Sequence, residues 1–140
     1  MRRDDIAKVL LKNSEGKYLI LRGSVWPERP DRSQKPDVPG GMVDPGETHV
    51  DGAVREMKEE AGITINPSDL RLAFAESFVF SDKAVNRLLY RIDVENVPEV
   101  TISWEHEGYW WKSADEVLAL DIRDPYPAMF AHLKQIGELE

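Results

Sequence analysis

The sequence predicts a mixed α/β domain in which helices pack on the faces of a mixed β-sheet. Short runs rich in branched and aromatic residues, the mark of strands, are interspersed with two or three segments that carry helix-start signals. Of the 140 residues, 41% are hydrophobic and 31% charged, enough for one well-buried core and too few for two ordinary domains. No internal repeat, low-complexity tract or polar linker divides the chain, so residues 1–140 read as a single domain.

The elements follow in order. The runs IAKVLLK and KYLILR flank the turn-rich spacer NSEG, so Ile6 to Arg22 is expected to form a β-hairpin. Prolines at 27, 30, 36 and 39 argue for a long ordered loop from Gly23 to Pro39, and long loops inside compact domains tend to be functional. A helix is expected between Thr48 and Ala61: Thr48 with Asp51 resembles a capping box, and Gly62 sits where a helix C-terminal glycine is favoured. LRLAFAESFVF and NRLLYRIDV are strand candidates, expected to pair as a hairpin across SDKAV. YWWK is a further strand that should send one of its two tryptophans into the core. SADEVLAL opens with a capping-box pattern, Ser113 to Glu116, and reads as a short helix, while PAMFAHLKQI reads as a terminal one.

Composition narrows the function. The formal net charge of −8 disfavours a long nucleic acid, because such binding depends on releasing phosphate counterions to Lys and Arg. A small phosphorylated ligand remains open if metal ions or local cations offset the repulsion. No apolar run approaches the ~18 residues of a membrane span, and MRRDDIAKVLLKN lacks the features of a signal peptide, so neither membrane nor export is expected and the location is expected to be cytoplasmic. The count of zero cysteines agrees with a reducing compartment and removes disulfides, thiolate metal sites and cysteine nucleophiles.

Inside the expected helix, Val50, Ala53, Val54, Met57 and Ala61 fall on one stripe at about 100° per residue, and Glu56, Glu59 and Glu60 form the neighbouring stripe. Like charges at spacings of three and four cost roughly 0.2 to 0.5 kcal/mol per pair. Either the stripe is a solvated face or a divalent cation offsets the repulsion, and Mg²⁺ typically uses one or two carboxylates together with substrate phosphates. The preceding stretch PGGMVDPGE places Gly40 and Gly41 where the backbone can approach a ligand closely, and Pro45 with Gly46 turns the chain back towards the helix.

Gly41, five residues, Glu47, seven residues and then REMKEEAGI match the signature G-x5-E-x7-R-E-U-x-E-E-x-G-U at every specified position, U being apolar. With usage of about 6 or 7% per residue type, a chance match is on the order of 10⁻⁷. The chain thereby resembles the Nudix hydrolases over Gly41 to Ile63, and the order of elements around the motif is compatible with the Nudix α/β/α sandwich.

The resemblance implies Mg²⁺ or Mn²⁺ and the hydrolysis of a nucleoside diphosphate linked to another moiety. It implies Glu56 and Glu60 as metal ligands, Glu59 as ligand of a further metal or as a group acting on the attacking water, and a carbonyl ligand from Gly40. Arg55 and Glu47 are expected to form an ion pair that orients the loop. Family members often add a distant glutamate that either ligates metal or takes the proton, and the EH of SWEHEGYWW, followed four residues later by Trp110, makes Glu105 the candidate, with Glu107 a solvated flank. A non-hydrolytic Nudix-like ligand-binding domain is the alternative, although such domains commonly lose box glutamates and this chain keeps them. An isomerase of the same fold would need the cysteine this chain lacks. Substrate choice lies outside the motif: Arg22, Arg29, Arg32 and Lys35 are candidates for phosphate and Trp26 for stacking on a base, while the stretch DIRDPY could edge the pocket. The expected partner is a small nucleotide or nucleoside diphosphate derivative, and the assembly a monomer or homodimer.

Overall fold

The computed structural model describes the backbone of residues 1–140 and every side chain except that of Arg32, whose expected phosphate contact lies outside the described residues. The described residues form seven strands: β1 (Arg2–Lys12), β2 (Tyr18–Gly23), β3 (Pro36–Asp37), β4 (Gly40–Met42), β5 (Arg71–Phe80), β6 (Lys83–Asp93) and β7 (His106–Lys112). Three α-helices accompany them, α1 (His49–Ala61), α2 (Ala114–Leu118) and α3 (Tyr126–Gln135). No helix is long and apolar enough to cross a membrane.

Strand β1 is the centre of a mixed sheet. It runs parallel to β6 from Arg2↔Lys83 to Lys12↔Asp93, and β5 closes that side as the antiparallel partner of β6. Alternation along β1 sends Ala7, Val9 and Leu11 to one face, where Ala53, Met57 and Ala61 of α1 cover them. Leu10 points to the other face, where Val117 of α2 and Tyr126, Met129, Phe130 and Leu133 of α3 pack. The result is the α/β/α sandwich that the sequence suggested.

The expected hairpin from Ile6 to Arg22 holds only at its turn. Asn13 Oδ1 accepts from the amides of Glu15 and Lys17 at 2.9 and 3.0 Å, and β1 pairs with β2 at Lys12↔Tyr18 alone. Beyond it the strands splay, while the other edge of β2 pairs along its whole length with β7, from Tyr18↔Lys112 to Gly23↔His106. The segment from β3 to β4 enters the gap: β3 pairs with β2 at Leu21↔Asp37, and β4 with β1 at Lys8↔Gly40. The long loop thus ends as two short strands that deliver Gly40 and Gly41 to the centre of the sheet.

Other differences are local. The β5–β6 turn is tighter than expected, with Ser81 at φ 60° and β6 beginning at Lys83 rather than Asn86. Both tryptophans of YWWK pack, Trp111 against the α1 side and Trp110 against the α3 side, since neighbouring residues of a strand face opposite ways. The capping signals hold: Thr48 Oγ1 accepts from Asp51 N at 3.1 Å, and Ser113 and Glu116 form a reciprocal capping box.

Candidate active site

Helix α1 carries Glu56 and Glu60 one turn apart on the side that faces β4. Glu60 is buried, its side chain 8% exposed, and Glu56 is 16% exposed, whereas Glu59 points outward at 58%. The three glutamates therefore divide into a converging pair and one solvated neighbour. Burial pushes the Glu60 carboxyl up to about 9 despite the attraction of Lys8, and a hydrogen bond and charge repulsion from Glu56 add to the shift.

Two glycines give this pair its ceiling. Gly40 has φ 132°, and a Cβ there would lie 2.2 Å from the Ala7 carbonyl, so only glycine lets β4 press onto β1. A Cβ on Gly41 would meet Glu56 Oε1 at 3.0 Å. The missing side chain is the space the carboxylate occupies.

Arg55 fixes the loop that precedes the helix. Its Nη2 donates to Glu47 Oε1 at 2.7 Å and to the Met42 carbonyl at 3.0 Å, and its Nη1 donates to Glu56 at 3.1 Å and Glu59 at 3.2 Å. The Arg55 hydrogen bond, helped by the Asp44 N–H, holds the Glu47 carboxyl below its usual range, and that same bond keeps Arg55 firmly protonated. The expected pair of Arg55 and Glu47 is the hub of a partly buried network that also touches a converging glutamate.

Behind β4 lies a group the sequence reading passed over. Lys8 is buried, and its Nζ donates to the carbonyls of Val38 and Gly40, both at 3.0 Å, with Asp37 at 3.4 Å. Asp37 also meets Arg123 at 3.4 Å. The signal was present as a lysine in the middle of the apolar run IAKVLL. His106 was passed over too: its Nε2 lies 3.9 Å from Glu60 Oε2, and burial lowers its pKa.

A cavity of about 530 Å³ opens beside this cluster, lined by Trp26, Asp37, Glu105, His106, Asp121 and Arg123 among others. Of the substrate candidates, Trp26 and Lys35 line it, Lys35 being paired with Asp121. Arg22 lies elsewhere, its guanidinium packed on Gly108 and over the Trp110 ring. Arg29 pairs with Asp31 at 3.3 Å on the exposed loop. Glu105 is exposed at the cavity wall, and its backbone carbonyl accepts from Ser24 Oγ at 2.9 Å. Glu107 is exposed at the start of β7, as expected of a flank, but it is not idle. It accepts from Val25 N at 3.1 Å and Gln34 Nε2 at 3.0 Å and so ties the long loop to β7.

Among the described residues no three carboxylates or imidazoles converge as a complete metal cage. What converges is two carboxylates beneath the glycines of β4, hard oxygen donors of the kind Mg²⁺ uses when waters and phosphates supply the rest. A buried carboxyl crowded by a second one is a site that a cation would relieve. The residues present therefore fit a divalent ion.

The whole fold agrees with known proteins. The model of the NUDIX domain matches residues 1–133. The bis(5'-nucleosyl)-tetraphosphatase (asymmetrical) of Rattus norvegicus is 30% identical over 85% of this chain and 78% of its own length. That of Sus scrofa is 33% identical over 59% of this chain, and the chain spans only 58% of that relative. The crystal structure of the MutT protein from Methanosarcina mazei Go1 superposes with a TM-score of 0.80 at 27% identity, covering 98% of this chain and 96% of that one. With its signature, sandwich and glutamate-bearing helix in place, this chain belongs to the Nudix hydrolase family.

Proposed function

We propose that the chain hydrolyses a phosphoanhydride in a nucleoside diphosphate linked to another moiety, with Mg²⁺ or Mn²⁺ held by Glu56, Glu60 and the Gly40 carbonyl. The observation that carries the reading is the pair of buried Glu60 and half-buried Glu56 under Gly40 and Gly41, beside a cavity of about 530 Å³. Bound there, a divalent cation would supply charge neutralisation for the phosphates and acidify water for attack at phosphorus. The chain's own groups do the rest. Arg55, anchored by Glu47, holds Glu56 in place and adds a fixed positive charge. Glu105 on the cavity wall accepts the proton of the attacking water, and the solvated Glu59 is the other candidate for that task.

The cavity suits the nucleoside end of the substrate. Its cations are already paired, Lys35 with Asp121 and Arg123 with Asp37, so its described lining offers no unpaired lysine or arginine for a phosphate. Trp26, 52% exposed, is available to stack on a base. Gly41 remains a proposed phosphate contact through its backbone, and Arg29, paired with the cavity-lining Asp31, would have to exchange that partner for a phosphate, whereas Arg22 is packed away from the cavity. The named activity of the relatives makes a dinucleoside tetraphosphate the first compound to test. A panel of dinucleoside polyphosphates, nucleoside triphosphates and nucleotide sugars, assayed with Mg²⁺ and Mn²⁺, tests the reading by product identity. Cleavage to a nucleoside monophosphate and a second phosphorylated product is expected, and EDTA abolishes it. Full turnover in excess chelator contradicts the mechanism, and no turnover of any compound favours a non-hydrolytic binding domain.

A further inference from the structure

We propose that Lys8 is a positioning residue of the carboxylate site, holding the Gly40 carbonyl so that its second lone pair faces the ion between Glu56 and Glu60. The inference rests on the assignment of Gly40, Glu56 and Glu60 as ligands given above.

Lys8 faces the α3 side of β1, where its neighbour on that face, Leu10, is wholly apolar and buried. Burying an ammonium there instead of another leucine is costly unless every proton finds a partner. Each does. Two go to the carbonyls of Val38 and Gly40 at 3.0 Å, and the third faces the Asp37 carboxylate at 3.4 Å. Asp37 does not by itself account for the lysine, because Arg123 also pairs with it at 3.4 Å.

The two carbonyl contacts act on the turn that delivers the site. They sit on either side of Pro39, whose own carbonyl accepts from Val9 N at 2.8 Å. Three consecutive carbonyls are thus anchored to β1, and the Gly40 backbone has no room to retreat. A carbonyl oxygen has two lone pairs. Lys8 engages one at Gly40 and leaves the other for a cation. The charge of Lys8 opposes that cation, and its attraction to Glu60 offsets the opposition.

The test is a Mn²⁺ titration of the full chain, followed by the EPR signal of the unbound ion, with Tm measured in parallel. Loss of a group that orients a metal ligand costs roughly 10- to 100-fold in metal affinity. Lys8→Met should therefore weaken Mn²⁺ binding at least about tenfold. Lys8→Gln, too short to reach both carbonyls, should behave alike and replaces the methionine variant if that one does not fold. Asp37→Asn leaves the carbonyl contacts in place, and should lower Tm while keeping Mn²⁺ affinity within about threefold of wild type, well short of that loss. Unchanged or tighter binding in the Lys8 variants overturns the proposal, as does an equal loss in Asp37→Asn. A chain that folds with neither Lys8 substitution assigns the lysine to folding and overturns it too. A wild-type chain that binds no Mn²⁺ at all refutes the metal assignment itself, which is a different result.

Discussion

Glu60 is poorly placed for stability and well placed for chemistry. Its carboxyl is 8% exposed and shares its surroundings with Glu56, so the fold without metal bears a buried acid that has no cationic hydrogen-bond partner among the described residues. Glu60→Gln keeps the shape and removes the charge. Turnover should fall by at least roughly a hundredfold, the scale on which positioned electrostatic stabilisation acts. In EDTA the same variant should be more stable than wild type by on the order of 1 kcal/mol, or roughly 3 °C in Tm for a chain of this size. Calorimetry in chelator checks the second outcome, and a Glu60→Gln chain that melts below wild type contradicts it. Glu105→Gln should lower kcat far more than it raises KM and alter the acid limb of the rate profile. An unchanged rate and profile, measured where chemistry limits turnover, moves the role of base to Glu59.

Helix α1 shows how much an element reveals in its own sequence. Thr48 as cap, Gly62 in the left-handed conformation at φ 69° and the apolar stripe of Ala53, Met57 and Ala61 are all local or periodic signals. Thr48→Ala should cost about 1 kcal/mol and Gly62→Ala at least as much, since a Cβ at Gly62 would also press on Thr101 at 3.0 Å. Urea unfolding measures both, and activity per folded molecule should be unchanged. The partners of β1 were not legible in this way. Hydrophobic runs announce strands, but nothing local says that β1 takes β6 in parallel across 70 residues of intervening sequence or that β3 and β4 part it from β2. Lys8, Asp37, His106 and Arg123 belong to that long-range part of the fold. The motif glutamates and Arg55 were readable because a helix and its adjoining loop bring them together, and the cavity wall was not, because it draws on segments from Gly23 to Arg123.

Across the whole molecule, charge ties the two sides of the sheet together. Burial alone would raise the Asp37 carboxyl, but Lys8, Arg123 and the Val38 N–H together hold it below its ordinary value of 3.8. A depressed acid contributes stability that is present above its unfolded pKa and lost as pH falls through the lower folded value. Acid unfolding of wild type should therefore include a component below about pH 4. Asp37→Asn should lose that component and be less stable at neutral pH, and parallel curves for the two chains contradict the pairing. The same network borders the cavity on one side and the Gly40 carbonyl on the other, beside the place proposed for a divalent ion. Mn²⁺ titration of wild type, Glu56→Gln and Glu60→Gln tests that placement most directly. Wild type should bind, and each variant should bind at least about tenfold more weakly while remaining folded; wild-type affinity in both variants would place the ion away from Glu56 and Glu60 and overturn their assignment as ligands.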